Sequence, residues 1–134
     1  MVPMSGIYLG SLRTEDIHHL SGNKIITDAP IDNNGRGEAF SPTDLVCAAL
    51  SSCMMTLMGI AADREKIDMT GMTSQITKIM AANPRRIAEI QIVFSRPGLQ
   101  VTETQRQKLV IAAQTCPVAM SLAEGIKQSV QFDF

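Results

Sequence analysis

From Leu45 to Ala62 the chain runs through eighteen consecutive residues without a charge. As a helix, a stretch of this length is close to the lower limit for crossing a hydrocarbon core of about 30 Å. It therefore belongs either in a membrane or deep inside a folded protein. Ser51, Ser52, Thr56 and two cysteines interrupt its apolar character, and no aromatic or basic anchors bracket it. The expectation is a buried central helix with no membrane partner. Ser41 fits its N-cap, Pro42 its first position, and Asp44 follows three residues after the cap; the helix is predicted to end near Asp63–Lys66. It is apolar nearly all round, so it needs cover on several sides. A chain of 134 residues has few other elements to supply that cover. An obligate homodimer is the expected solution.

The rest of the chain reads as short strands and two further helices, giving a single domain over residues 1–134. Residues 6–28 form three strands, with turns predicted at Thr14-Glu15-Asp16 and Ser21-Gly22-Asn23. Residues 29–40 carry Pro, two Asn and two Gly and form a loop by turn chemistry. Residues 69–80 and 86–96 are two more strands, the second marked by the alternation of Ile90, Ile92 and Phe94. Thr102 with Gln105 makes a capping box for a helix to about Gln114. Pro117 opens a short helix that Gly125 closes, and Ile126, Val130 and Phe132 share one parity of a final strand. Strands, helix, strands, two helices, strand is an α+β order.

Composition narrows the function. Twelve Lys plus Arg stand against thirteen Asp plus Glu, and there is no Trp and one Tyr. Nothing in that balance neutralises phosphates or stacks bases, so nucleic acid is not an expected partner. The first ten residues lack a basic segment followed by an apolar one, so a cytoplasmic protein with reduced cysteines is expected. His18 and His19 are adjacent on a predicted strand and point to opposite faces, so no metal site is expected from them. Gly35-Arg36-Gly37 falls short of a phosphate-binding loop.

Sulfur is the unusual element, with nine Met and three Cys. Cys116 immediately precedes Pro117 and so caps the last helix, where first-turn N–H groups and the helix dipole favour a thiolate. Cys53 sits in the middle of the central helix. Its neighbours Met54 and Met58 disfavour a charge there, so activation requires a cation from elsewhere in the fold. The same two methionines offer a soft lining for an apolar substrate. Cys47, six residues before Cys53, lies about 240° around the helix and is expected to be core packing. If the thiols are inert, the alternative function is a non-catalytic dimer that binds a small apolar ligand.

SPTDLVCAALSSC, then CPVAMSL 63 residues after the last Cys of the first motif, then a terminal VQFDF strand, resemble the OsmC/Ohr family of osmotically inducible and organic-hydroperoxide-resistance proteins. IITDAPIDNNGRGEAFSP and NPRRIAEIQIVFS look like its OsmC-like branch. The resemblance implies an α+β fold of antiparallel sheets around a long central helix, in an intertwined homodimer with its sites at the subunit interface. It also implies a thiol-dependent peroxidase with no bound cofactor, recycled by an external dithiol reductant. In hydroperoxide-reducing members a central-helix Cys attacks the peroxide and the Cys before Pro resolves it, positions that match Cys53 and Cys116. Their activating Arg comes from the N-terminal half, which leaves Arg13, preferred, or Arg36. Asp44 or Glu38 would hold it. Organic hydroperoxide reductases usually carry Glu directly after the helix-start Pro, where this chain has Thr43; the acid here is Asp44, one place later.

Overall fold

The structure, a computed structural model, describes residues 2–134. The chain divides into two compact units, Met1–Val46 and Cys47–Phe134.

The first unit is an antiparallel meander of β1 (Met4–Gly10), β2 (Arg13–His18) and β3 (Asn23–Asp28). The turn expected at Thr14-Glu15-Asp16 is not there. Those residues belong to the central strand, where Thr14 faces Tyr8 on one side and Thr27 on the other. The chain reverses earlier, through Gly10, Ser11 and Leu12, with φ of 84°, 53° and 61°. Glycine adopts such a backbone freely, but leucine does not. Two hydrogen bonds hold Leu12 in place: its N–H donates to Tyr8 Oη at 3.2 Å, and its carbonyl accepts from Ala29 N–H at 3.1 Å. The second turn spans residues 19–22, with Gly22 at φ 74°; it overlaps the expected Ser21-Gly22-Asn23 but starts two residues earlier, and Asn23 already pairs with His18 as the first residue of β3. The loop that follows holds one 3-10 turn, Ile31–Asn33. Gly35 is required in it, because a Cβ there would overlap the Ala29 carbonyl oxygen. Among the described residues of this unit only Thr27, Asp28 and Ser41 are buried, while Ile7, Tyr8 and Leu9 on β1 are exposed.

The second unit holds a mixed sheet of order β4 (Thr73–Ala81), β5 (Arg86–Ser95), β6 (Lys127–Asp133). β4 and β5 are antiparallel, but β5 and β6 run parallel, so the expectation of antiparallel sheets holds for one pair of this sheet and not the other. The reason is the crossover. α2 (Glu103–Gln114) and α3 (Pro117–Ser121) carry the chain back to the starting end of β5 before β6 begins. The predicted capping box is formed: Gln105 N–H donates to Thr102 Oγ1 at 3.1 Å and Thr102 N–H donates to Gln105 Oε1 at 3.0 Å. Ile90, Ile92 and Phe94 fill the core as their alternation predicts, with Phe94 stacked on Phe132 at 5.8 Å between ring centroids.

The long helix α1 spans Pro42–Arg64. Ser41 Oγ accepts from Asp44 N–H at 3.1 Å, and an Asp44 carboxylate oxygen accepts from Ser41 N–H at 2.9 Å, a reciprocal cap. Burial is confined to one stripe, Cys47, Leu50, Ser51, Met54, Met58 and Ala62, at three- and four-residue spacing. By length and hydropathy the helix passes for a membrane span, yet only 33% of its most apolar window is buried within the chain. Ala49, Ser52, Thr56 and Ile60 on its other side are exposed. The burial on most sides expected from the sequence is thus met along only one stripe within one chain.

Candidate functional site

Cys53 is partly exposed on α1, immediately before the buried Met54. Cys116 is fully buried at the N-cap of α3, in extended backbone with φ −66° and ψ 150°. Its Sγ accepts from Ala119 N–H at 3.3 Å, as the Cys-Pro placement predicts. The fold brings the two thiols, 63 residues apart in sequence, close enough for Cys53 to act on the ionisation of Cys116. None of the three cysteines is in a disulfide among the described residues, and Cys47 is packed in the core as expected.

The electrostatics of Cys116 differ from the expectation. The Ala119 and Val118 N–H groups do favour its thiolate, but burial outweighs them and pushes the thiol above its ordinary value; the adjacent Cys53 pushes in the same direction. Cys116 is therefore a protonated, buried thiol. The cap effect was read correctly in sign, but it is the smaller of the two.

In the first unit Arg13 leaves the Gly10–Leu12 turn and forms a two-pronged ion pair with Asp28, with Nε–Oδ1 at 2.7 Å and Nη2–Oδ2 at 2.8 Å. Nη2 also reaches Glu38 Oε2 at 3.3 Å, and Glu38 N–H donates to Asp28 Oδ2 at 3.2 Å. The Arg13 guanidinium holds the Asp28 carboxyl below its usual range against the opposing effect of burial, and the Glu38 N–H and Arg36 charge add to it. The same partnership raises Arg13 further. Of the two carboxylates named from the sequence, Glu38 is thus at Arg13. Asp44 is occupied with the Ser41 cap. Sequence reasoning missed Asp28, the principal partner. Its signal was the cross-strand pairing of Arg13 with Asp28, which is readable only once the turn is placed at Gly10–Leu12.

Met54 and Met58 are 1% and 0% exposed, so they pack the core and do not line an open surface. Met55 is the methionine of that run with access. It borders two open grooves of about 570 and 440 Å³, the smaller of which also contains the Ser51–Ser74 hydroxyl pair at 2.9 Å. His18 and His19 bond to Ser21 and Ser5.

Comparison with known proteins follows the same lines. A crystal structure from Psychrobacter arcticus 273-4, described as an osmotic stress induced and detoxification response protein, is 45% identical. The alignment covers 98% of this chain and 96% of that one, with a TM-score of 0.94. An organic hydroperoxide resistance protein OsmC from Legionella pneumophila shares the fold at 15% identity, over 100% and 98% of the two chains, with a TM-score of 0.76. An organic hydroperoxide resistance protein from Vibrio cholerae, with captopril in one of its active sites, does so at 14% identity, over 99% and 92%, with a TM-score of 0.74. No protein of curated function matches the sequence. The OsmC-like protein family profile matches residues 35–131, a span that contains the α1 start, Cys53, the Cys116-Pro117 step and most of β6. With that span and the 45% identical neighbour together, the chain belongs to the OsmC-like protein family.

Proposed function

We propose that the protein is a thiol-dependent peroxidase that reduces organic hydroperoxides. The observation that carries this reading is the proximity of two free thiols, one partly exposed on a helix and one fully buried at a helix cap. The Cys53 thiolate attacks the terminal peroxide oxygen, the O–O bond breaks, and the alkoxide takes a proton and leaves as the alcohol. Cys53 is then a sulfenic acid. Cys116 condenses with it, forming the disulfide and releasing water. An external dithiol restores both thiols and is itself oxidised to a disulfide. Arg13, anchored by Asp28, is the cation assigned to the thiolate and the leaving oxygen. Membership of a family whose structural relatives are described by hydroperoxide resistance supports the substrate class.

The working unit is a homodimer. A sheet with Ile7, Tyr8 and Leu9 exposed, and a long apolar helix buried along one stripe, are surfaces that a second copy of this chain would cover. Light scattering at micromolar concentration is expected to give twice the chain mass. A folded monomer there overturns the assembly.

The chemistry is tested with a stoichiometric organic hydroperoxide. Wild type is expected to lose two thiols and gain one intrachain disulfide. Cys116→Ser stops at a sulfenic acid that over-oxidises, and Cys47→Ser behaves as wild type. Peroxide consumption by Cys53→Ser at the wild-type rate refutes the mechanism.

A further inference from the structure

Helix α3 has little of its own to hold it. Its five residues close barely more than one turn, which is marginal in water without outside support. Ala119 is buried and Val118 half-buried, but Pro117, Met120 and Ser121 are exposed, so apolar packing anchors it weakly. The start of the helix is tied to α2 by the Cys116 N–H, which donates to the Ala113 carbonyl at 3.3 Å. A second tie comes from β6, where the Gln128 side-chain N–H donates to the Ala119 carbonyl at 3.1 Å. Gln128 shares its strand face with Val130 and Phe132, and it pairs across the sheet with the fully buried Ile90. A polar side chain among apolar ones is costly unless it is bonded. This one is bonded to the residue whose N–H rests on Cys116 Sγ at 3.3 Å. Ala119 is thus held from both sides, by the thiol at its N–H and by Gln128 at its carbonyl.

We propose that Gln128 is a positioning residue for the resolving step: by fixing the Ala119 carbonyl it keeps the α3 cap, and with it Cys116 Sγ, in place to meet oxidised Cys53. The proposal rests on the peroxidase reading and deepens it. In that step the Cys116 sulfur forms an S–S bond to the Cys53 sulfenic sulfur, the S–O bond breaks, and the departing hydroxide takes the thiol proton and leaves as water. Disulfide geometry allows only a narrow range of Cα separation, so a cap that wanders spends less time within reach. The Ala119 N–H also favours the Cys116 thiolate, the attacking form, and it stays on the sulfur only while α3 stays in place. Gln128 acts through Ala119 and takes no part in the attack of Cys53 on the peroxide. Its loss therefore slows the second step and spares the first.

The test follows the two steps of one turnover in wild type, Gln128→Met and Gln128→Glu. Gln128→Met keeps the length and loses the donor, whereas Gln128→Glu keeps the shape and sets an acceptor against the carbonyl. Each protein receives a stoichiometric organic hydroperoxide, is quenched in acid at intervals and is mapped as tryptic peptides. Peroxide loss, which reads the Cys53 attack, should stay at the wild-type rate. Disulfide formation should slow by about fivefold in both variants, the weight of one ordinary hydrogen bond, and with excess peroxide more Cys53 should reach the sulfinic acid. Gln131→Met, on the exposed face of β6, should change neither step. If Gln128→Met does not fold, Gln128→Glu carries the same expectation. Disulfide formation at the wild-type rate in the folded variants, or equal slowing of both steps, overturns the proposal. Diamide repeats the measurement without peroxide: Cys53 adds across its N=N bond, and Cys116 then displaces the hydrazine to form the disulfide. If hydroperoxide leaves the wild-type thiols intact while diamide joins them, the peroxidase reading falls, and the diamide rates decide for or against Gln128. If neither oxidant joins them, both fall together.

Discussion

Met54→Ala separates packing from substrate contact on α1. Met54 is 1% exposed on a stripe whose neighbours Leu50 and Met58 are both at 0%, so truncation removes three heavy atoms from a closed core. Buried Met→Ala changes cost about 2–5 kcal/mol, combining lost transfer energy with the residual cavity. A value of about 3 kcal/mol is reasonable for an unbranched side chain whose surroundings include another flexible methionine. At about 2.1 cal/mol/K per residue, a chain of 134 residues has an unfolding entropy near 0.28 kcal/mol/K. The midpoint should therefore drop by about 10 °C. Met55→Ala, partly exposed at the groove, should lower it by less than about 4 °C. Thermal unfolding followed by circular dichroism reads both variants, at equal protein concentration because association shifts the midpoint. In the remaining folded protein Met54→Ala should leave the KM for hydroperoxide nearly unchanged. A midpoint within about 2 °C of wild type, accompanied by a raised KM, would show that Met54 lines the substrate path and that the packing argument is wrong.

Two further predictions come from the charged and titrating groups. Asp28→Asn should destabilise the protein most at neutral pH: the wild-type carboxyl is held below its ordinary 3.8, so its contribution is complete above that value and fades as pH falls through the folded one. Melting curves of the pair should converge in acid, and a gap that stays constant across that range rejects the Arg13 linkage. Cys116 has the opposite sign. A thiol raised above its ordinary 9.0 contributes stability that is complete below that value and is lost as pH rises through the folded one. Wild type should therefore lose thermal stability faster than Cys116→Ser in alkaline solution, and parallel curves there would count against the burial of this thiol.

What the sequence revealed about this molecule was local in origin. The Ile90, Ile92, Phe94 alternation, the Thr102–Gln105 box and the Ser41-Pro42 helix start all depend on groups within a few residues of each other, and each forms as read. The Gly10–Leu12 turn escaped because Leu12 at φ 61° runs against its own preference, and is held by bonds to Tyr8 and Ala29 that no local pattern announces. That one displaced turn also hid Asp28, since the partner of Arg13 follows from the strand register and the register from the turn. The parallel β5–β6 pair was missed for a similar reason: direction is set by where a crossover returns the chain, not by residues in the strand. Cys116 shows how a correct local argument reaches the wrong net sign. Its cap bonds are visible in Cys-Pro, whereas the burial that outweighs them belongs to the tertiary fold. That reversal suits the resolving role proposed for it. On that proposal a buried, protonated thiol would not compete with Cys53 for peroxide, and it would act only once Cys53 had become an electrophilic sulfenic acid.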